Sequence, residues 1–309
     1  MNLKNIKGNA FLLIATVIWG STFVAQSIAA DIIGPFEFHS VRTFIGALVL
    51  IPVILFMDLA KKKSGTYVAP TKKSNKDLLI GGSLCGLAHC VAACLQQLGM
   101  SLGTESGKAG FITAMYIIFV PILGVFLKKR IQPHIFVCIA LSVAGLYLLC
   151  IKNGFSIRSS DFIVLLCAIT FAFHILLIDR YVERVDCVKL SFMQFVFSAL
   201  LSSALTFIFE NGFHIDLILK AIGPILYAGV LSCGVAYTFQ ILGQKYSSSP
   251  TVASLIMSFE SVVAVISEML VLKNIMSTRE TIGSLLMFTA IILSQIDIPK
   301  IIKNKRAES

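Results

Sequence analysis

Charge is what this sequence has least of. Asp, Glu, Lys and Arg make up 14% of its 309 residues, where a soluble domain carries about 25%. A water-facing surface cannot be assembled from so few. With 57% hydrophobic residues and a mean hydropathy of +0.88, most of the chain must face lipid. No C-x-x-C occurs among the eight cysteines, so the usual zinc and thiol–disulfide spacings are missing. Cys85, Cys90 and Cys94 stand near His89, and such neighbours on an apolar helix read as packing. No metal and no cofactor is expected. There is also no H-E-x-x-H, no G-x-S-x-G and no paired-aspartate motif, which removes common enzyme signatures. The absence of an N-x-[ST] sequon, together with short loops, fits a bacterial inner membrane, the plasma membrane of such a cell.

The apolar residues are grouped in runs, and a bilayer-crossing helix needs about 20 of them. Ten segments meet that need: 9–29, 35–57, 77–98, 107–127, 133–151, 160–179, 188–209, 219–243, 250–272 and 280–298. They predict an all-α integral membrane protein. The first run follows Lys4 and Lys7 as in a signal peptide, but it continues to Ala30 and a second span follows at once; a retained helix is the better reading. The net charge of +10 would suggest nucleic acid in a soluble protein. Here the basic residues cluster between spans, as in KKK at 61–63 and KKR at 128–130. With the N-terminus inside, nineteen Lys and Arg fall in inner segments, six in outer loops, and Arg42 within a span. That bias predicts both termini on the cytoplasmic side and no nucleic-acid partner.

Sliding the chain by 144 residues reveals an ungapped repeat. CVAACLQQLGMSLGTESGKAGFIT from 90 aligns with GVAYTFQILGQKYSSSPTVASLIM from 234. Gln96 falls on Gln240, Gly99 on Gly243, Ala109 on Ala253 and Ile112 on Ile256. Near the start of each half, FHSVRTFIGAL from 38 matches LSFMQFVFSAL from 190 more weakly. The chain thus divides into a first repeat, 1–155 (spans 1–5), and a second, 156–309 (spans 6–10). Five spans per half force the second copy to enter the membrane from the opposite side. Such inverted-topology repeats are built into secondary transporters, with the site near the midplane. The strip QQLGMSLGTESGKAGFI is then a connector between spans and not a phosphate loop. Three residues separate Gly103 from Gly107, and Ala109 follows Lys108 where Ser or Thr is needed.

Polar groups inside spans cost roughly 2.5 to 3.5 kcal/mol each when ionisable, so each needs a reason. Glu260 sits mid-span in MSFESVVAVISE, and its repeat partner is Tyr116. Two polar groups related across the midplane mark where a carrier site should be; the carboxyl suits proton coupling or contact with a cationic substrate, against the alternative of a helix–helix hydrogen bond. Glu268 shares a face with Ser254, Ser258 and Ser261 at 100° per residue, nearer the surface. Arg42 lies close to Glu37 and His39, where a structural ion pair or a snorkelling side chain competes with a functional role. Gln96 and Gln240 either bond substrate or tie helices together. Trp19, the single tryptophan, lies mid-span, away from the interfaces where tryptophan collects, and reads as a cavity wall. Pro121 removes a backbone hydrogen bond in span 4 and predicts a kink or gating point.

WGSTFV in span 1, HSVRTFIGAL in span 2, GKAGFITAMYIIFVPILGVFL in span 4 and ASLIMSFESVVAVISEMLVLK in span 9 together resemble the EamA-like permeases of the drug/metabolite transporter superfamily. The resemblance covers nearly the whole chain. It implies export or exchange of small metabolites, amino acids or amphipathic compounds by alternating access, around a cavity bounded by spans 1–4 and 6–9. It also implies that Trp19, Arg42, Pro121 and Glu260 occupy positions that the family's motifs fill. Glu268 stands where the family commonly has a small residue, and Ser261 where it commonly has proline; the extra acid favours a cationic or zwitterionic ligand. The expected partners are a small-molecule substrate, the lipid bilayer and a proton as candidate coupling ion, with the protein a monomer or homodimer. The competing readings are a membrane-embedded enzyme and a non-transporting membrane subunit.

Overall fold

A computed structural model describes residues 3–129, 131–150, 158–247, 249–272 and 277–294. Every regular element among the described residues is a helix. The first three are long: α1 Leu3–Ala30, α2 Pro35–Lys63 and α3 Lys72–Ser101. A broken span follows, α4 Ser106–Ala114 and α5 Tyr116–Phe126, then α6 Pro133–Cys150, α7 Ser159–Tyr181 and α8 Cys187–Phe209. Two short helices, α9 Ile215–Lys220 and α10 Ile222–Leu226, lead into a π-helical stretch, Tyr227–Ala236, which continues as α11 Tyr237–Tyr246. A second broken span, α12 Pro250–Met257 and α13 Glu260–Leu272, precedes α14 Thr278–Ser294.

Eight of the ten expected spans are helical runs long and apolar enough to cross a bilayer. The fifth is the shorter apolar helix Pro133–Leu149, and the tenth, 280–298, extends beyond the described residues. The outer surface supports the membrane assignment independently. Phe56 is 74% exposed and Phe126 80%. Leaving such side chains in water would forgo about 2 kcal/mol of burial each; lipid removes that penalty. The chain is a multi-pass membrane protein.

The helix starts follow from local chemistry. Thr71 accepts the Ser74 N–H at the start of α3, and Ser249 accepts that of Val252 with Pro250 opening α12. Asp186 accepts from Val188 and Lys189 at the start of α8. For α2 the cap comes from the other half of the chain: Glu210 accepts the N–H groups of Phe36 at 3.0 Å and Glu37 at 2.7 Å. Gly34 makes room for it, since a Cβ there would lie 2.3 Å from a Glu210 oxygen.

In the packed molecule α1 lies against the π-helical stretch, α11 and α13; α2 against α8 and the π-helical stretch; α3 against α7 and α8. The α4–α5 span packs on α7, and α6 pairs with α14. The main apolar core runs from Leu12 on α1 through Ile117 and Val120 on α5 to Phe195 on α8 and Leu255 on α12, and it surrounds the polar cavity described next.

Candidate functional site

Both broken spans break at the same place. In the first half, Met115 donates to Ile112 and Ile118 to Met115, three-residue bonds that interrupt the α-helical pattern just before Tyr116. In the second half, Phe259 donates to Ile256, Ser261 to Ser258 and Val262 to Phe259, just before Glu260. Pro121 does not mark the discontinuity. It lies inside α5, beyond the break, and the second-half break has Val265 at the corresponding position. The cause common to both halves is therefore the local backbone turn and its packing, not proline.

The breaks carry Tyr116 and Glu260 to one point. The Tyr116 hydroxyl donates to Glu260 Oε1 at 3.0 Å, and the two residues are only 4% and 5% exposed. They line a cavity of about 40 Å³, room for a few water molecules rather than a metabolite. Any larger occupant needs its walls to part.

The other expected residues divide. Trp19 lines the cavity and packs its ring 4.7 Å from that of Tyr237, with its indole N–H unpartnered. Gln96 also borders the cavity, but its amide is committed: it donates to Thr113 Oγ1 at 3.1 Å and accepts from Gln26 at 2.9 Å. Its repeat twin Gln240 borders the cavity with its Oε1 unpartnered. The serines of the expected stripe are turned to backbone: Ser254 donates to Thr251, Ser258 to Leu255 and Ser261 to Gly110. The side chain of Glu268 lies outside the described residues.

Arg42 forms no pair with Glu37 and does not snorkel. It is 3% exposed and borders the cavity, while Glu37 accepts from His214 instead. The Arg42 Nε and one Nη point at His39 Nδ1, at 3.2 and 3.1 Å. Because guanidinium only donates, His39 Nδ1 must be the acceptor, so its proton sits on Nε2 and is donated to Ser198 Oγ at 2.9 Å. Ser198 then donates to His89 Nδ1 at 3.0 Å. The His89 ring packs edge-on against Tyr237 at 4.5 Å. These assignments follow from the hydrogen-bond pattern.

Sequence reasoning missed several lining residues: Gln26, Ser232, Tyr237, Phe171 and Met257. Gln26 and Tyr237 carry the same signal as the residues that were found, a polar group inside an apolar run. Ser232 comes from the π-helical stretch, whose extra residue per turn is a common device at functional sites. Two glycines let that stretch approach α2: Gly46 faces Cys233, and Gly229 faces the Arg42 carbonyl, each closer than a Cβ contact allows or nearly so. The ligand atoms of His39, Cys90 and Cys94 lie within 4.8 Å of one another. Both ring nitrogens of His39 are engaged there, and the adjacent guanidinium disfavours a metal cation.

A buried polar cavity at two helix breaks, enclosed by helices long and apolar enough to cross a bilayer, is the site of a polytopic membrane protein. The sequence comparisons give the family. The EamA-like transporter family pattern matches residues 6–151 and again 158–295, so the chain belongs to that family. An uncharacterized transporter of Archaeoglobus fulgidus is 28% identical over 297 residues, covering 96% of this chain and 88% of that one. The uncharacterized transporter YoaV of Bacillus subtilis is 24% identical over 290 residues, covering 92% and 94%. A solved crystal structure superposes with a TM-score of 0.70 at 16% identity, covering 98% of this chain and 99% of that one; this speaks to fold alone.

Proposed function

We propose that the protein is a secondary active transporter, an exporter or exchanger of a small organic metabolite such as an amino acid or amine, working by alternating access in the plasma membrane. The observation that carries this reading is the Tyr116–Glu260 hydrogen bond, buried in a cavity where two broken spans meet. Ten spans form two inverted five-span repeats, 1–155 and 156–309. The packing partners support this: exchanging spans 1–5 with 6–10 turns the α3–α7 contact into α11–α1, the α3–α8 contact into the π-helical stretch on α2, and leaves α2–α8 and α6–α14 unchanged. Both termini are cytoplasmic.

In the mechanism, the two halves rock about Trp19, Tyr116 and Glu260. Broken helices give the wall a place to bend, and Glu260 either carries the coupling proton or meets a substrate amine. Ion pairs tie the α4–α5 span to α7 at both ends, Lys108 to Asp161 and Lys129 to Asp179. Opening to one side separates the pair on that side. The test uses proteoliposomes loaded with metabolites that raise the protein's melting temperature. Efflux faster than from empty liposomes, with a pH dependence between pH 5 and 8 that Glu260→Gln flattens, is the expected result. A Glu260→Gln protein with wild-type rates across that range would remove Glu260 from the mechanism.

A further inference from the structure

Arg42 presents a problem that the protein alone does not solve. Its guanidinium is permanently charged, 3% exposed and set in the wall of the central cavity. Among the described residues no carboxylate lies within ion-pair distance of it. The nearest acid along its own helix, Glu37, is taken by His214. Glu260, which borders the same cavity, bonds Tyr116 and not Arg42. The polar partner that Arg42 does have is His39, and that imidazole is neutral by its own hydrogen bonds: Nδ1 accepts from Arg42 and Nε2 is held by Ser198. His39 therefore aims the guanidinium without balancing its charge. The Phe38 ring beneath it, 5.1 Å from Cζ, contributes a cation–π contact but no anion.

Buried charges in proteins are paired; one left unpaired beside a cavity implies that the occupant supplies the counter-charge. We infer that the cavity binds its substrate through a carboxylate docked on Arg42, so that the substrate class is amino acids and related organic acids and not simple amines. This rests on the cavity being the transport site. A single guanidinium matches one carboxylate in charge and in its two-pronged donor geometry, whereas a phosphate dianion would bring a second charge with nothing to meet it. The second pole of the cavity is Glu260 with Tyr116, which lines the same space without pairing with Arg42 and takes the ammonium of a zwitterion. Trp19 and Tyr237, whose rings meet at a tilt of 59° with centroids 4.7 Å apart, supply an apolar wall for the side chain between the two poles.

The test is a thermal-shift and calorimetric screen of the full chain in lipid nanodiscs. The probes are matched sets: phenylalanine, leucine and lysine; their decarboxylated counterparts phenethylamine, isopentylamine and cadaverine; and the deaminated acids 3-phenylpropionate, 4-methylpentanoate and 6-aminohexanoate. Each set is run on wild type, Arg42→Gln, Arg42→Lys and Glu260→Gln. The expected result is stabilisation by at least one carboxylate-bearing probe and none by its decarboxylated partner. Affinity falls about 30-fold or more in Arg42→Gln, as when one member of a buried charge pair is truncated. Arg42→Lys, which keeps the charge but not the fork, retains part of the response and covers the case in which Arg42→Gln does not fold. An amine that binds as tightly as its amino acid, a carboxylate response that survives in Arg42→Gln, or silence of every carboxylate probe overturns the inference. An amine response abolished by Glu260→Gln but not by Arg42→Gln overturns it while leaving the site reading in place. A response untouched by all three substitutions removes both.

Discussion

The hydroxyl of Tyr116 and the carboxylate of Glu260, 144 residues apart and 3.0 Å from each other, stand at equivalent positions of the two repeats and touch across the boundary between them. Each opens the second segment of a broken span, so the contact joins the two places where three-residue bonds interrupt the α-helical pattern.

That bond sets an order of stability for two variants. Tyr116→Phe removes the donor and leaves a buried carboxyl without a partner, costing about 1–3 kcal/mol. Glu260→Gln keeps an acceptor for the hydroxyl and should cost less. Melting temperatures in one detergent are expected to fall in the order wild type, Glu260→Gln, Tyr116→Phe. The reverse order would mean that Glu260, and not its bond to Tyr116, holds the breaks together.

The pairing was legible because the repeat is ungapped between 90 and 256, so alignment alone brings Tyr116 opposite Glu260. The spans were legible because apolar runs of this length have few other uses. The breaks were not. Neither Met115 nor Ser258 is a residue that terminates helices, and Pro121 lies inside α5, beyond the break. The arrangement of Arg42 was also hidden. Sequence proximity offered Glu37 as its partner, but Glu37 stands five positions before Arg42, outside the three- and four-residue spacings that face each other on a helix, and His214, 177 residues away, reaches Glu37 instead. The His39–Ser198–His89 chain joins three helices that no local pattern links.

Gly20, in the WGSTFV motif, holds α1 close against the Glu260 turn. A Cβ there would meet Val263 Cβ at 2.5 Å, the Glu260 carbonyl at 2.6 Å and the Ala264 nitrogen at 2.8 Å. Alanine has the higher helix propensity by about 1 kcal/mol, but two of these neighbours are backbone and cannot swing aside. Gly20→Ala is therefore expected to destabilise, by about 1–3 kcal/mol for overpacking, and to slow transport by shifting α13. Gly223→Ala, with nothing near its Cβ, is the control and should be neutral or slightly stabilising. Equal melting temperatures for the two variants would contradict the close approach of α1.

Asp186 connects charge to stability. Burial pushes its carboxyl up, but hydrogen bonds from Lys61 and from the backbone of Lys189 and Val188 outweigh that and hold it below the usual carboxylate range. A lowered native value means that the contribution is present above the unfolded value, about 3.9, and is lost as pH falls through the native one. Asp186→Ala should cost about 1 kcal/mol at pH 7, chiefly as a lost helix cap. Asp186→Asn keeps the cap and loses only the half-exposed ion pair with Lys61, worth about 0–1 kcal/mol. The difference between wild type and Asp186→Asn is expected to shrink as pH falls from 5 towards 3. A difference that stays constant over that range would show that the charge contributes nothing.

The bias in lysine and arginine predicts an orientation, and the buried thiols make it easy to test. Cys187, beside an expected inner loop, is 5% exposed and so a poor reporter, and the other described cysteines are buried as well. The same burial keeps labelling background low. Ser64, after α2, and Asp216, on α9, are exposed and lie on loops that an odd number of crossings separates. With both termini inside, Ser64→Cys should react with a membrane-impermeant maleimide only in inverted vesicles, and Asp216→Cys only in intact cells. The opposite pattern would reverse the orientation. Labelling of both variants from one side would be worse for the fold, because it would require an even number of crossings between residues 64 and 216 and so break the five-plus-five arrangement.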